Sequence, residues 1–187
     1  MGEKNLLVKA EGEDRMLFDE VIEEKIEGLH NQKVNTRKAV RGVILEDEKI
    51  LLIHCNLGDY KFPGGGIKRQ EDHESALIRE VKEEAGYTVS EVVSQIGKMT
   101  EIGPDKFEEN ALFEMKSYYY MCKVLNIKGQ QNLDDYEHEL EFKPVWIRVK
   151  DAISCNEKLL ESHDRKINDW VYRETLVLKK LLAHLNK

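Results

Sequence analysis

Gly65 to Tyr87 reads GGIKRQEDHESALIREVKEEAGY: a glycine turn, a basic and polar connector, and then an expected helix closed by Gly86. At roughly 100° per residue, Leu77, Ile78, Val81 and Ala85 fall on one side of that helix, a stripe suited to packing on a sheet. Glu80, Glu83 and Glu84 gather on another side. Like charges three and four apart on a helix destabilise it by about 0.2–0.5 kcal/mol per pair, and a bound cation reverses the sign. Three carboxylates without His or Cys form a hard oxygen donor set, suited to Mg²⁺ or Mn²⁺ rather than zinc. Because Mg²⁺ usually shares its shell with water and substrate phosphates, a phosphate-bearing substrate is expected. Taken alone, E-x-x-E-E also reads as a solvated acidic face, since surface helices are rich in Glu.

The whole constellation says more. Gly65, Glu71 and the run Arg79-Glu80-Val81-Lys82-Glu83-Glu84-Ala85-Gly86-Tyr87 resemble the Nudix box at every fixed position, with Tyr87 where that family usually carries an aliphatic residue. Phe62-Pro63-Gly64-Gly65-Gly66 is similar to the aromatic-x-Pro-Gly-Gly lead-in of the same family. The box covers 23 of 187 residues, so the remainder needs its own reading. The resemblance implies an α/β/α sandwich with a mixed β-sheet, a divalent metal cofactor, and cleavage of a pyrophosphate bond in a nucleoside diphosphate linked to another group.

Length fits one domain, residues 37–187, preceded by an extension over residues 1–36. The net charge of -7 argues against a broad basic face for nucleic acid, although a local pocket for one nucleotide is compatible with it. Neither a run of eighteen apolar residues nor a signal core is present, so a cytoplasmic protein without a membrane partner is expected. Cys55, Cys122 and Cys155 are odd in number and far apart, which speaks against disulfides or a zinc site.

In the extension, Asn5 to Val8 and Met16 to Ile26 are apolar pieces, the second near helical spacing through Phe18, Val21, Ile22 and Ile26. They read as a short strand and a helix that cover the sheet or reach a second subunit, or as a semi-ordered arm. Ala39 to Leu45 and Ile50 to His54 read as a hairpin, and Leu57 to Lys61 as a loop. After the box helix come a strand over Val89 to Met99 with a turn near Gly97, and a polar loop over Glu101 to Asn110. A long strand over Ala111 to Leu125 follows, then a loop over Asn126 to Glu137. Phe142 to Val149, with Pro144 near its start, reads as an edge strand. Lys150 to Leu160 and Ile167 to Leu185 read as helices. Dimerisation through the N-terminal segment or the last helix is expected.

The resemblance implies that Glu80 and Glu84 are the principal metal ligands, while Glu83 either ligates a further ion or serves as general base. Arg79, four residues before Glu83, is placed to orient it. Glu71 either favours the positive end of the helix dipole or reaches the metal cluster. Gly65 and Gly86 serve the backbone as turn and helix terminus. Members of the family often add a carboxylate from a loop near a late Trp; Glu139 is our choice here, with Glu137 and Glu141 as alternatives. His138 reads as a surface residue.

Arg41, Lys61, Lys68 and Arg69 lie near the turn as candidates for substrate phosphates, and Tyr60, Phe107, Tyr118 and Tyr120 as candidates for stacking on a base. Pro104 falls beyond the proline mark of the ADP-ribose branch. The expected substrate is a nucleoside triphosphate or modified nucleotide, then a dinucleotide or nucleotide sugar. The alternative is a nucleotide-sensing or regulatory module without turnover, which loss of a box carboxylate would favour; none is missing.

Overall fold

The run Ile50-Leu51-Leu52-Ile53 is fully buried. Side chains alternate along a strand, so such a run requires cover on both faces of its sheet. That cover is present in the computed structural model, which describes residues 16–24, 33–162 and 166–187. Its strands are β1 (Phe18–Glu23), β2 (Lys33–Glu46), β3 (Lys49–His54), β4 (Tyr60–Lys61), β5 (Tyr87–Pro104), β6 (Ala111–Lys128) and β7 (Lys143–Arg148). The helices are α1 (His73–Ala85), α2 (Asp135–Glu139), α3 (Val149–Glu161) and α4 (Val171–Leu185).

The seven strands form one mixed sheet in the order β1-β5-β6-β2-β3-β4, with β7 also paired to β3. β1 runs parallel to β5 and β2 parallel to β6, while the other pairings are antiparallel. Leu51 and Ile53 join Val40, Ile44 and the α1 stripe of Leu77, Val81 and Ala85 in one core. Ile50 and Leu52 join Val43, Met99 and Tyr119 beneath Ala152 of α3 and Val177, Leu178 and Leu181 of α4 in the other. The fold is therefore the α/β/α sandwich expected. No helix among the described residues is long and apolar enough to cross a membrane.

Local signals explain the box helix. Asp72 is its N-cap, with its side chain accepting from the Ser75 amide at 2.7 Å. Gly86 closes it in the left-handed conformation, φ 75°. All three cysteines are free.

Elsewhere the structure departs from the expected elements. Met16 to Ile26 does not begin a helix: Phe18–Glu23 is a strand, and Ile26, like Asn5 to Val8, lies outside the described residues. A spacing of four satisfies both periods, and Phe18 settles the choice by packing edge-on against Tyr119 at 5.4 Å. Gly97 is no turn. β5 continues through it, with a register shift against β6 between Gln95 and Gly97, and Phe18 lies over its bare backbone, where an added Cβ would meet the ring at 2.2 Å. The polar stretch Glu101 to Pro104 stays in β5, since β6 supplies a ladder partner as far as Pro104. The loop expected over 126–137 holds the end of β6 and the start of α2. Tyr60–Lys61, expected within a loop, pairs with β3 as β4. The last helix begins at Val171 rather than Ile167.

Leu178 is fully buried between α4 and the sheet, whereas Phe107 at the β5–β6 turn is 99% exposed. Leu178→Ala is expected to lower the unfolding free energy by about 2–5 kcal/mol, and Phe107→Ala to leave it within about 0.5 kcal/mol, as read from urea unfolding midpoints.

Candidate active site

The glycine turn is fastened along β2. Gly42 N donates to Pro63 O at 2.8 Å, Val40 N to Gly65 O at 3.0 Å, and Ile67 N to Lys38 O at 3.0 Å. So close an approach leaves no space for side chains. A Cβ at Gly64, whose φ is 144°, would lie 2.1 Å from the Val40 carbonyl oxygen, and one at Gly65 would lie 2.3 Å from Glu80 Oε2. The entry to the turn is held by α4: Phe62 N donates to the buried Glu174 carboxylate at 3.0 Å. Arg173 pairs with that same carboxylate and with Glu101.

Against this turn the carboxylates converge. Oxygens of Glu80, Glu84 and Glu137 all lie within 4.8 Å of one another. Glu84 accepts from Gly64 N at 2.8 Å and pairs with Lys61 at 2.5 Å, both side chains being almost wholly buried. Burial pushes the Glu80 carboxyl up, with Glu84 adding repulsion and Arg79 opposing both. Burial likewise raises Glu137 to about 7, helped by the charges of Glu84 and Asp134. Like charges held this close call for a cation, and the all-carboxylate donor set fits a hard divalent ion.

Arg79 organises the rim. Its guanidinium grips Glu71 through two nitrogens at 2.7 and 2.8 Å, Glu80 at 2.6 Å, Glu83 at 3.1 Å and the Gly66 carbonyl at 3.2 Å. The forked bond from Arg79 holds the Glu71 carboxyl down at about 2. Glu71 thus neither caps the helix, which Asp72 does, nor enters the carboxylate group: it anchors Arg79.

Glu137 arrives through the end of α1, whose last carbonyls need partners. Gln131 Nε2 donates to Glu84 O at 2.6 Å and to Phe142 O at 3.0 Å, Asn132 N to Glu83 O at 2.9 Å, and Gly129 N to Gly86 O at 2.8 Å. α2 follows at once, started by a reciprocal capping box between Asp134 and Glu137. That D-x-x-E spacing is a signal readable in the sequence.

The structure brings Glu80 and Glu84 together as expected, and joins Glu137 to them rather than Glu139, which is exposed on α2 with its carbonyl accepting from Asn56. Glu141 is drawn instead to Lys143. Glu83 stays at the rim, outside the converging group, with its side chain 31% exposed. Lys61 is not at the surface: it lies beneath Glu84, with its ammonium 4.4 Å from the Phe142 ring centroid. Arg41 is buried as well and donates to the Gly64 carbonyl, bracing the turn. Lys68 and Arg69 remain exposed. Of the aromatic candidates, Tyr118 lies 4.6 Å from the His73 ring and Tyr120 bonds its Nδ1 at 2.7 Å, while Tyr60 packs on His54. The fastening of Phe62 by Glu174 had no local signal, since the two lie far apart in the chain.

The NUDIX domain family model matches residues 35–171, which takes in most of β2, the glycine turn, α1 and the converging carboxylates Glu80, Glu84 and Glu137. The chain belongs to the NUDIX domain family. A human diphosphoinositol polyphosphate phosphohydrolase is 33% identical over 121 residues, 63% of this chain and 57% of that protein. A bovine diphosphoinositol polyphosphate phosphohydrolase 3-beta is 32% identical over the same length, 63% of its own. The chain thus spans about 57–63% of the length of these relatives. Among solved structures, a NUDIX hydrolase from Nitrosomonas europaea superposes with a TM-score of 0.58 at 15% identity, covering 80% of this chain and 90% of that one. A MutT NUDIX hydrolase from Burkholderia pseudomallei gives 0.54 at 16%, covering 79% and 98%. At these identities they show the shared fold.

Calorimetric titration with Mn²⁺ separates the two α2 carboxylates. Glu137→Gln is expected to weaken binding roughly 10-fold or more, and Glu139→Gln to leave it unchanged.

Proposed function

We propose that this NUDIX chain is a divalent-metal-dependent hydrolase that cleaves a pyrophosphate bond in a phosphorylated small molecule. The convergence of Glu80, Glu84 and Glu137 against the glycine turn carries this reading. A pyrophosphate link is an anion of low electrophilicity, so its hydrolysis needs charge neutralised on the phosphate oxygens and a water positioned and deprotonated. A Mg²⁺ or Mn²⁺ ion held by these three carboxylates would supply the neutralisation and acidify a bound water.

The chain's own groups do the rest. Glu83, half exposed beside the group and steered by Arg79, is the residue placed to take a proton from water. Arg79, itself anchored by Glu71, ties Glu80 and Glu83 to one of its guanidinium nitrogens and so orients both. Lys61 pairs with Glu84 from below and balances its charge, both side chains being almost wholly buried. The narrow turn lets backbone approach the substrate without side chains intervening.

A nucleoside triphosphate or modified nucleotide is the first substrate class, followed by a dinucleotide or nucleotide sugar. A diphosphorylated inositol phosphate is a second reading, favoured by relatives that are named for that reaction and up to 33% identical. Both carry the same anhydride. A cytoplasmic location is part of the proposal, as is a nucleotide-type partner rather than nucleic acid.

Phosphate release with Mg²⁺ or Mn²⁺, measured across nucleotides, dinucleotides, nucleotide sugars and diphosphoinositol phosphates, tests the reading. One class is expected to be hydrolysed, with Glu84→Gln and Glu80→Gln each losing at least roughly 100-fold in rate. Nucleotide binding with no turnover by the unmodified chain would instead establish a regulatory binding module.

A further inference from the structure

Three of the cations near the glycine turn are spent on the protein. Arg41 is buried on the Gly64 carbonyl, Lys61 is buried on Glu84, and Arg79 is shared among Glu71, Glu80 and Glu83. Arg37, which the sequence reading passed over, is different. It is exposed on β2, and its guanidinium makes no hydrogen bond or ion pair among the described residues.

Its position is defined by the turn. A Cβ at Gly66 would meet Arg37 Nη2 at 2.9 Å and Nε at 3.2 Å, so the guanidinium lies against the bare backbone of that glycine. The neighbouring residue, Gly65, has the Glu80 carboxylate in the equivalent place, with the nearest oxygen 2.3 Å from an added Cβ. Adjacent Cα atoms are 3.8 Å apart, so these contacts hold the Arg37 and Glu80 head groups within roughly 12 Å of each other. One oligophosphate can bridge that gap.

The surroundings keep Arg37 available. β2, β6 and β5 place Arg37, Met115 and Glu101 in one cross-strand row. Glu101, the acidic member of that row, is already taken by Arg173 of α4. A planar guanidinium at the rim of a carboxylate site, with its fork uncommitted, matches the oxygens of a phosphate bidentately.

We propose that Arg37 is a substrate-binding residue that grips a phosphate of the substrate remote from the carboxylate group, and so favours substrates with an extended oligophosphate. This rests on the pyrophosphate-cleaving reading above. It replaces the phosphate contacts expected from Arg41 and Lys61, whose head groups are buried.

Calorimetric titration of the full chain with inorganic tripolyphosphate, in EDTA so that neither metal nor turnover contributes, tests it directly. Arg37→Ala is expected to weaken binding roughly 10- to 100-fold with the thermal midpoint unchanged, and Arg37→Lys to restore part of the loss. For whichever compound is hydrolysed, Arg37→Ala is expected to raise KM. Equal tripolyphosphate affinity in the unmodified chain and both variants would overturn the proposal, even if hydrolysis proceeds. A loss of affinity in Arg37→Ala where no compound is hydrolysed would sustain Arg37 as an anion-binding residue and remove the hydrolase reading.

Discussion

Backbone hydrogen bonds fasten the glycine turn to the edge of β2, and the site depends on that attachment. β2 pairs with β6 on one side and meets β3 only at the tip of their hairpin, so its remaining edge is open to the turn. The turn uses that edge to stand as a narrow wall, one bare glycine thick. Glu80 and Glu84 press on it from α1, Arg37 from β2, and Phe62 is fastened below it by α4. Each of these contacts requires backbone where a side chain would intrude.

Charge is buried around this wall in an amount that simple packing would not retain. Lys61 with Glu84, and Arg173 with Glu174, are almost fully enclosed, and Asp59 is held by Asn168 and the Trp170 indole. Desolvating such groups is expensive unless every one is paired, and even then apolar replacements are often as stable. What the pairs provide is position. Lys61 and Gly64 hold the two oxygens of Glu84 in place, Glu174 fixes the amide before Pro63, and Arg173 draws Glu101 away from Arg37. The two cores on either side of the sheet supply the stability that allows such groups to be kept.

The contacts of α2 show how little local change redirects a site. Glu137 and Glu139 are two residues apart, both acidic and both near Trp146 in sequence. Two residues on a helix turn a side chain through roughly 200°, so only one of them can face Glu84. Which one faces inward is set by the capping box at Asp134 and by Gln131 and Asn132, which fasten the preceding loop to the end of α1.

Elements whose causes lie within a few residues were legible in the amino-acid chain alone. The box helix shows its apolar stripe, its acidic side and its closing Gly86 as a local pattern, and the β2–β3 hairpin and the apolar stripe of α4 are written in the same way. Equally legible was the placing of Glu80 and Glu84 one turn apart on one side of a helix. Tertiary contacts settled that Phe18 belongs to a strand over Gly97, that Lys61 and Arg41 point inward, that Glu137 joins the carboxylates, and that Arg37 lies against Gly66. The physical reason is the same in each case. Helical and strand periods leave the direction of a single side chain open until strand register, the edge that receives the turn and the element packed across it are set by residues far away in the chain.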